Sequence, residues 1–141
     1  MKHSSALPVI IPAGKYYLGD PCYSVPDSEW MDLGATCDWF ENPVGTLRDG
    51  TKIYAMSTAW GDGEFRGSDG FYYGVDAGII GLVPVTVKLD DDFMPELVKV
   101  VEFDHPVMMF EDKGVLHFGH ISIDTDPRPD YDDYTGEENE D

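Results

Sequence analysis

Cysteine is nearly absent from this chain: Cys22 and Cys37 are the only two in 141 residues. Two cysteines fifteen positions apart fit no zinc-finger spacing and build no disulfide framework. They leave two reduced thiols or, as the alternative, one disulfide. Basic residues are also scarce, nine against 28 acidic ones, for a net charge of −19. A field of that sign repels nucleic acid and anionic membranes, so direct DNA or RNA binding is disfavoured. No apolar run approaches the length of a membrane span. The stretch Leu7 to Ala13 is too short for a secretory signal and is broken by Pro8 and Pro12. A soluble protein of the cytoplasm is the expected setting. Phosphate-loop, dinucleotide-binding and Gly-x-Ser-x-Gly signatures are missing as well.

What is present suits one domain. Hydrophobic residues make up 42% of the chain and aromatics 13%, enough for a true core. The apolar residues come in short runs stopped by glycine, proline and aspartate. Thr51 to Ala59 alternates, with Ile53 and Ala55 on one face and Tyr54 and Met56 on the other. Glu64–Arg66 and Phe71–Val75 flank Gly67-Ser68-Asp69-Gly70, a hairpin pattern. Further strands are expected at Val9–Ile11, Lys15–Leu18, Gly81–Lys88, Leu97–Phe103, Val107–Phe110, Val115–Phe118 and Ile121–Ile123. Ser24-Val25-Pro26-Asp27 opens a short helix over about 25–33, ended by Gly34. The expected fold is mainly β, a compact antiparallel barrel or sandwich over residues 1–125. Residues 126–141 read as an acidic, disordered tail; from Asp124 onward nine carboxylates face only Arg128.

Aspartate, glycine and aromatic residues concentrate in two places. One is Gly19-Asp20-Pro21-Cys22-Tyr23. The other runs from Thr58 through Trp60-Gly61-Asp62-Gly63 and Asp69-Gly70 to Tyr73-Gly74-Val75-Asp76-Ala77-Gly78. Glycine admits close backbone approach, aspartate caps backbone N–H groups or binds cations, and aromatics offer stacking faces. The candidate ligand-binding residues are Asp20, Tyr23, Trp60, Asp62, Arg66, Asp69, Tyr73 and Asp76. Asp76 lies among apolar neighbours and is expected to be a buried carboxylate, accepting backbone N–H bonds from Gly61–Gly63. No catalytic set accompanies these residues. No histidine is tied by sequence to Cys22, and His117 and His120, three apart, fall on opposite strand faces. No metal site and no cofactor is implied.

Those same motifs, together with Trp30 and Ile79-Ile80-Gly81-Leu82-Val83-Pro84, resemble a small uncharacterised family of bacteriophages and some bacteria. The Thr58–Gly63 stretch is similar to a bacterial domain of unknown function with a comparable Gly-Asp-Gly motif. The resemblance spans roughly residues 15–125 and implies a phage-encoded setting without naming an activity.

Three functions fit. The first is a non-enzymatic binding protein, a phage counter-defence factor that sequesters a small nucleotide-like signalling ligand in the host cytoplasm. Tyr23, Trp60 and Tyr73 would stack on a base, and glycine-loop N–H groups would hold phosphate. The second is a polyanion mimic that occupies a host protein's nucleic-acid site. The third is a divalent-metal-dependent hydrolase using Asp20, Asp62, Asp69 and Asp76. The partner is thus a small molecule or a host protein, with no membrane and with a homo-oligomer left open.

Overall fold

A computed structural model describes residues 8–89, 91 and 93–126. The tail expected over 126–141 lies outside them from residue 127 onward. Short apolar runs with turn residues between them become eleven strands among the described residues. These are β1 (Val9–Ile11), β2 (Gly14–Gly19), β3 (Val44–Thr46), β4 (Lys52–Ser57), β5 (Gly63–Arg66), β6 (Tyr72–Val75) and β7 (Ile79–Pro84). They continue with β8 (Lys99–Phe103), β9 (Val107–Asp112), β10 (Val115–Phe118) and β11 (Ile121–Asp124). One helix, α1 (Asp27–Cys37), lies between β2 and β3.

The strands form antiparallel ladders in the orders β3-β4-β7-β2-β8, β1-β9-β10-β11 and β5-β6. The first two sheets share a corner. β2 pairs with β8 from Gly14↔Phe103, and β1 pairs with β9 from Ile11↔Val107. Two chain segments therefore run from one sheet into the other as a pair. At the bend, residues 104–106 on one segment face only 12 and 13 on the other, and this extra residue turns the ladder. The architecture is mainly β and sandwich-like, without closure into a barrel.

Alternation splits the five-stranded sheet between two cores. Leu18, Met56, Ile80 and Leu82 face Phe65, Tyr73, Met109, Leu116, Phe118 and Ile123 across the sandwich. Ile53, Ala55, Ile79 and Val83 face Leu33, Cys37 and Phe40 of the helical layer. β7 is thus buried on both sides, which explains its unbroken apolar run. Gly81 lies in its middle, where a Cβ would run into the Tyr54 carbonyl and Ala55 of β4, so strand spacing there demands glycine.

Two expectations need correction, and one strand, β3, was not expected. β7 starts at Ile79 and stops at Pro84, short of the expected Lys88. β3 carries no recognisable alternation in its Val44-Gly45-Thr46 and exists because β4 supplies a partner. The helix runs through Gly34 to Cys37. Gly34 is glycine because the Trp39 indole folds onto it, against Trp30 at 5.7 Å between ring centroids. The stop comes from Asp38, Trp39 and Phe40, all left-handed at φ 55°, 54° and 67°. Each such residue costs about 1–2 kcal/mol. Burial of Phe40 in the helical core, the Trp39 N–H···O=C Gly34 bond and the Asn42 N–H···O=C Cys37 bond offset that cost.

Candidate functional site

The Gly-Asp-Pro-Cys-Tyr motif is a clamp. Asp20 follows β2, is fully buried and caps the 3-10 turn Pro21–Tyr23. Its Oδ1 accepts the Cys22 N–H at 2.9 Å. Its Oδ2 accepts the N–H groups of Asp76 at 2.9 Å and Ala77 at 2.7 Å. One carboxylate thereby ties the β6–β7 turn to the end of β2. Burial pushes the Asp20 carboxyl above its ordinary value, against the pull of the three backbone donors.

Asp76 is corrected by the same geometry. Its side chain is exposed, and it enters the clamp as a backbone donor rather than as a buried acceptor. The buried carboxylate of this region is Asp20. Tyr23 is almost fully buried, and burial with the nearby Asp76 charge holds its hydroxyl above the ordinary tyrosine value. Asp20, Asp76 and Asp62 all act on the half-buried Cys22 thiol, and burial with those negative charges holds it far above an ordinary thiol value. A thiol so raised is a poor nucleophile near neutral pH.

Asp69 and Tyr73 form a second unit on the β5–β6 hairpin. The Asp69 carboxylate accepts the Tyr73 hydroxyl at 2.8 Å, the Lys99 ammonium at 2.8 Å and the Phe71 N–H at 3.2 Å. Lys99 and its fellow donors hold the Asp69 carboxyl below its ordinary value despite partial burial. Tyr73 is fully buried, so its ring is part of the core and not a stacking face. Lys99 comes from β8, and nothing in its local sequence announces this role.

Trp60, Asp62 and Arg66 meet in an open groove of about 410 Å³, where Glu64, Phe65 and Asp124 join them. Trp60 is 52% exposed, so its indole face is available. The loop that presents it is held from both ends. Thr58 Oγ1 donates to the Gly61 carbonyl at 2.6 Å and accepts the Gly61 N–H at 2.7 Å. Ala59 N–H donates to the Thr125 hydroxyl at 2.9 Å, and that hydroxyl donates to the Gly114 carbonyl at 2.6 Å. Both threonines are buried. Arg66 lies over the Tyr72 ring, 5.8 Å from its centroid, across the hairpin register Arg66↔Tyr72. Glu64 and Asp124 escaped the sequence reading; Asp124 reaches the groove only because β11 runs beside β5, with Gly67 bridging Ile123.

The eight candidate residues therefore separate. Asp20 ties Cys22 to Asp76, beside buried Tyr23; Asp69 pairs with Tyr73; and Trp60, Asp62 and Arg66 line the groove. Four of the loop amides in the region expected to bind phosphate are already engaged: those of Asp76 and Ala77 by Asp20, that of Gly61 by Thr58, and that of Phe71 by Asp69. Among the described residues, no three His, Cys, Asp or Glu side chains form a group that could hold a metal ion. Also among them, no helix is long and apolar enough to cross a membrane.

No family model, curated protein or solved structure matches the chain.

Proposed function

We propose that this chain is a non-enzymatic binding protein whose recognition face is the Trp60 groove. The observation that carries this is a half-exposed indole on a loop fixed at both ends, with carboxylates and a guanidinium beside it. Pre-organised aromatic faces are good anchors because little side-chain entropy is lost on binding. A base stacked on an aromatic contributes about 1–3 kcal/mol. Three carboxylates, Asp62, Glu64 and Asp124, against Arg66 alone oppose a polyphosphate. They suit the donor-bearing edge of a nucleobase, since ionised carboxylates only accept hydrogen bonds. The ligand is thus nucleotide-like in its base and sugar and is recognised there rather than through phosphate. In the phage setting that the sequence motifs suggest, such a protein would sequester a host signalling molecule.

The test is thermal melting against a panel of nucleobases, nucleosides and nucleotides, with wild type and Trp60→Ala side by side. A ligand at one hundred times its Kd adds about 2.7 kcal/mol of stability. For a chain of this size that raises the melting temperature by roughly 10 °C. The shift should be absent in Trp60→Ala. A flat panel, together with no small molecule released from the purified protein on heating, rejects the proposal.

The polyanion-mimic alternative finds support in α1. Its Asp27 is exposed together with Met31, next to exposed Asp38 and Trp39, an acidic surface with apolar anchors in which Asp32 is held by Arg48 at 2.6 Å. Capture of a basic host protein that survives Trp60→Ala but not Trp39→Ala with Met31→Ala would favour it.

A further inference from the structure

Edge strands are usually protected by brevity, proline, a bulge or a charge pointing inward. β1 is three residues long and lies between Pro8 and Pro12; β3 is also three residues long. β8 is different. It pairs with β2 on one side, and among the described residues no other strand pairs with its far side. It has five residues, Lys99-Val100-Val101-Glu102-Phe103, with no proline, and Val100 is 55% exposed.

A hollow of about 410 Å³ adjoins the end of this strand. The sheet corner and the β10–β11 turn border it, and it is open to solvent. Phe103 and Met108 supply apolar lining, His105 and His120 add polar rings, and Glu102 and Asp104 add carboxylates. Met108 is 43% exposed, and the His120 ring stands edge-on to Phe103 at 6.2 Å. Apolar lining with carboxylates beside it fits a long cationic side chain, whose stem lies on apolar surface while its head stays with charge.

We infer that the free side of β8 is a docking edge for an extended, lysine- or arginine-rich segment of a partner protein. That segment adds as a further strand and places one basic side chain in the hollow. Main-chain hydrogen bonds supply affinity in this mode, and a side-chain pocket supplies selectivity. Charge complementarity sets the occupant: Glu102 and Asp104 flank the hollow, Asp104 keeping one oxygen clear of the His105 ring that meets the other at 2.6 Å, and a chain of net −19 attracts cationic segments and repels its own copies. The edge shares no lining residue with the Trp60 groove, so it is a second interaction surface beyond the proposed ligand site.

The probe is a short peptide of alternating lysine and valine, titrated into the full-length protein near physiological salt. A second peptide has the same sequence and charge but carries N-methyl groups on the amides facing β8, so it cannot extend the sheet. Amide hydrogen exchange should slow at 99–103 on binding of the first peptide. The N-methylated peptide should bind roughly tenfold or more weakly. Glu102→Lys with Asp104→Lys should weaken the first peptide by a similar factor; both positions are exposed, and melting confirms that the variant folds. Trp60→Ala should leave this binding unchanged. Equal binding of the two peptides, protection that falls elsewhere, or no binding at about 1 mM peptide overturns the inference.

Discussion

Asp20→Ala tests the clamp. The carboxylate is fully buried and accepts three backbone N–H groups, from Cys22, Asp76 and Ala77. Truncation to a methyl group strands all three donors, each at about 1–3 kcal/mol. Some relief comes from water entering near the exposed Asp76 and Ala77, so the loss should be roughly 3–6 kcal/mol. A domain has only about 5–15 kcal/mol in total, so Asp20→Ala should be near or past unfolding at 37 °C. Asp20→Asn is milder. Its one oxygen can stay with the two donors at Oδ2, and its NH₂ then meets the Cys22 N–H, stranding one donor for about 1–3 kcal/mol. Urea unfolding of the three proteins should give the order wild type, Asn, Ala, with unchanged m-values for the variants that still fold. Asp20→Ala within about 0.5 kcal/mol of wild type, or Asn worse than Ala, would refute the clamp.

Other consequences can be checked in the same way. Gly81→Ala drives a Cβ into the backbone of β4 and should prevent folding or cost about 3 kcal/mol or more, read by circular dichroism and urea unfolding. Gly34→Ala gains up to about 1 kcal/mol of helix propensity but displaces the Trp39 indole, so near-UV circular dichroism should change far more than stability. The Asp69 carboxyl is lowered in the folded state, so its stabilisation is present above the unfolded value near 3.8 and is lost as pH falls through the folded one; Asp69→Asn should flatten the acid limb of a stability–pH curve. Asp20 has the opposite sign, since its raised carboxyl favours the fold below 3.8 and that contribution fades as pH climbs through the folded value, a slope that Asp20→Asn removes. Native Cys22 should react with iodoacetamide much more slowly than the urea-unfolded chain at pH 8, because its thiolate is suppressed.

Strand positions were legible where side chains alternate between two surroundings. Ile53 and Ala55 against Tyr54 and Met56 is the plain example, and both faces point where the pattern says. β3 was not legible because Val44-Gly45-Thr46 is too short to carry a period. The end of α1 was misread because Gly34 has a tertiary reason, the packing of Trp39, that mimics a helix stop. The aspartate–glycine clusters were visible as special, but their roles were not. Asp20 looks like turn chemistry and is the buried acceptor, whereas Asp76 sits between Val75 and Ala77 and is exposed on a turn. Apolar neighbours do not report burial when the residue occupies a turn between strands, as 76–78 do between β6 and β7. Lys99 of β8 and Asp124 of β11 meet the β5–β6 hairpin from distant strands, so only the topology could have placed them.

The proposed binding face is tested most directly by chemical-shift mapping on uniformly ¹⁵N-labelled protein against the nucleobase and nucleoside panel. A ligand of the predicted class should perturb the Trp60 indole N–H, the amides of 61–66 and Asp124, and should leave the α1 amides unmoved. Saturable shifts confined to those positions and lost in Trp60→Ala are the predicted result. Shifts centred on α1 or on the exposed edge of β8, or no shift from any panel member at about 1 mM, would contradict it.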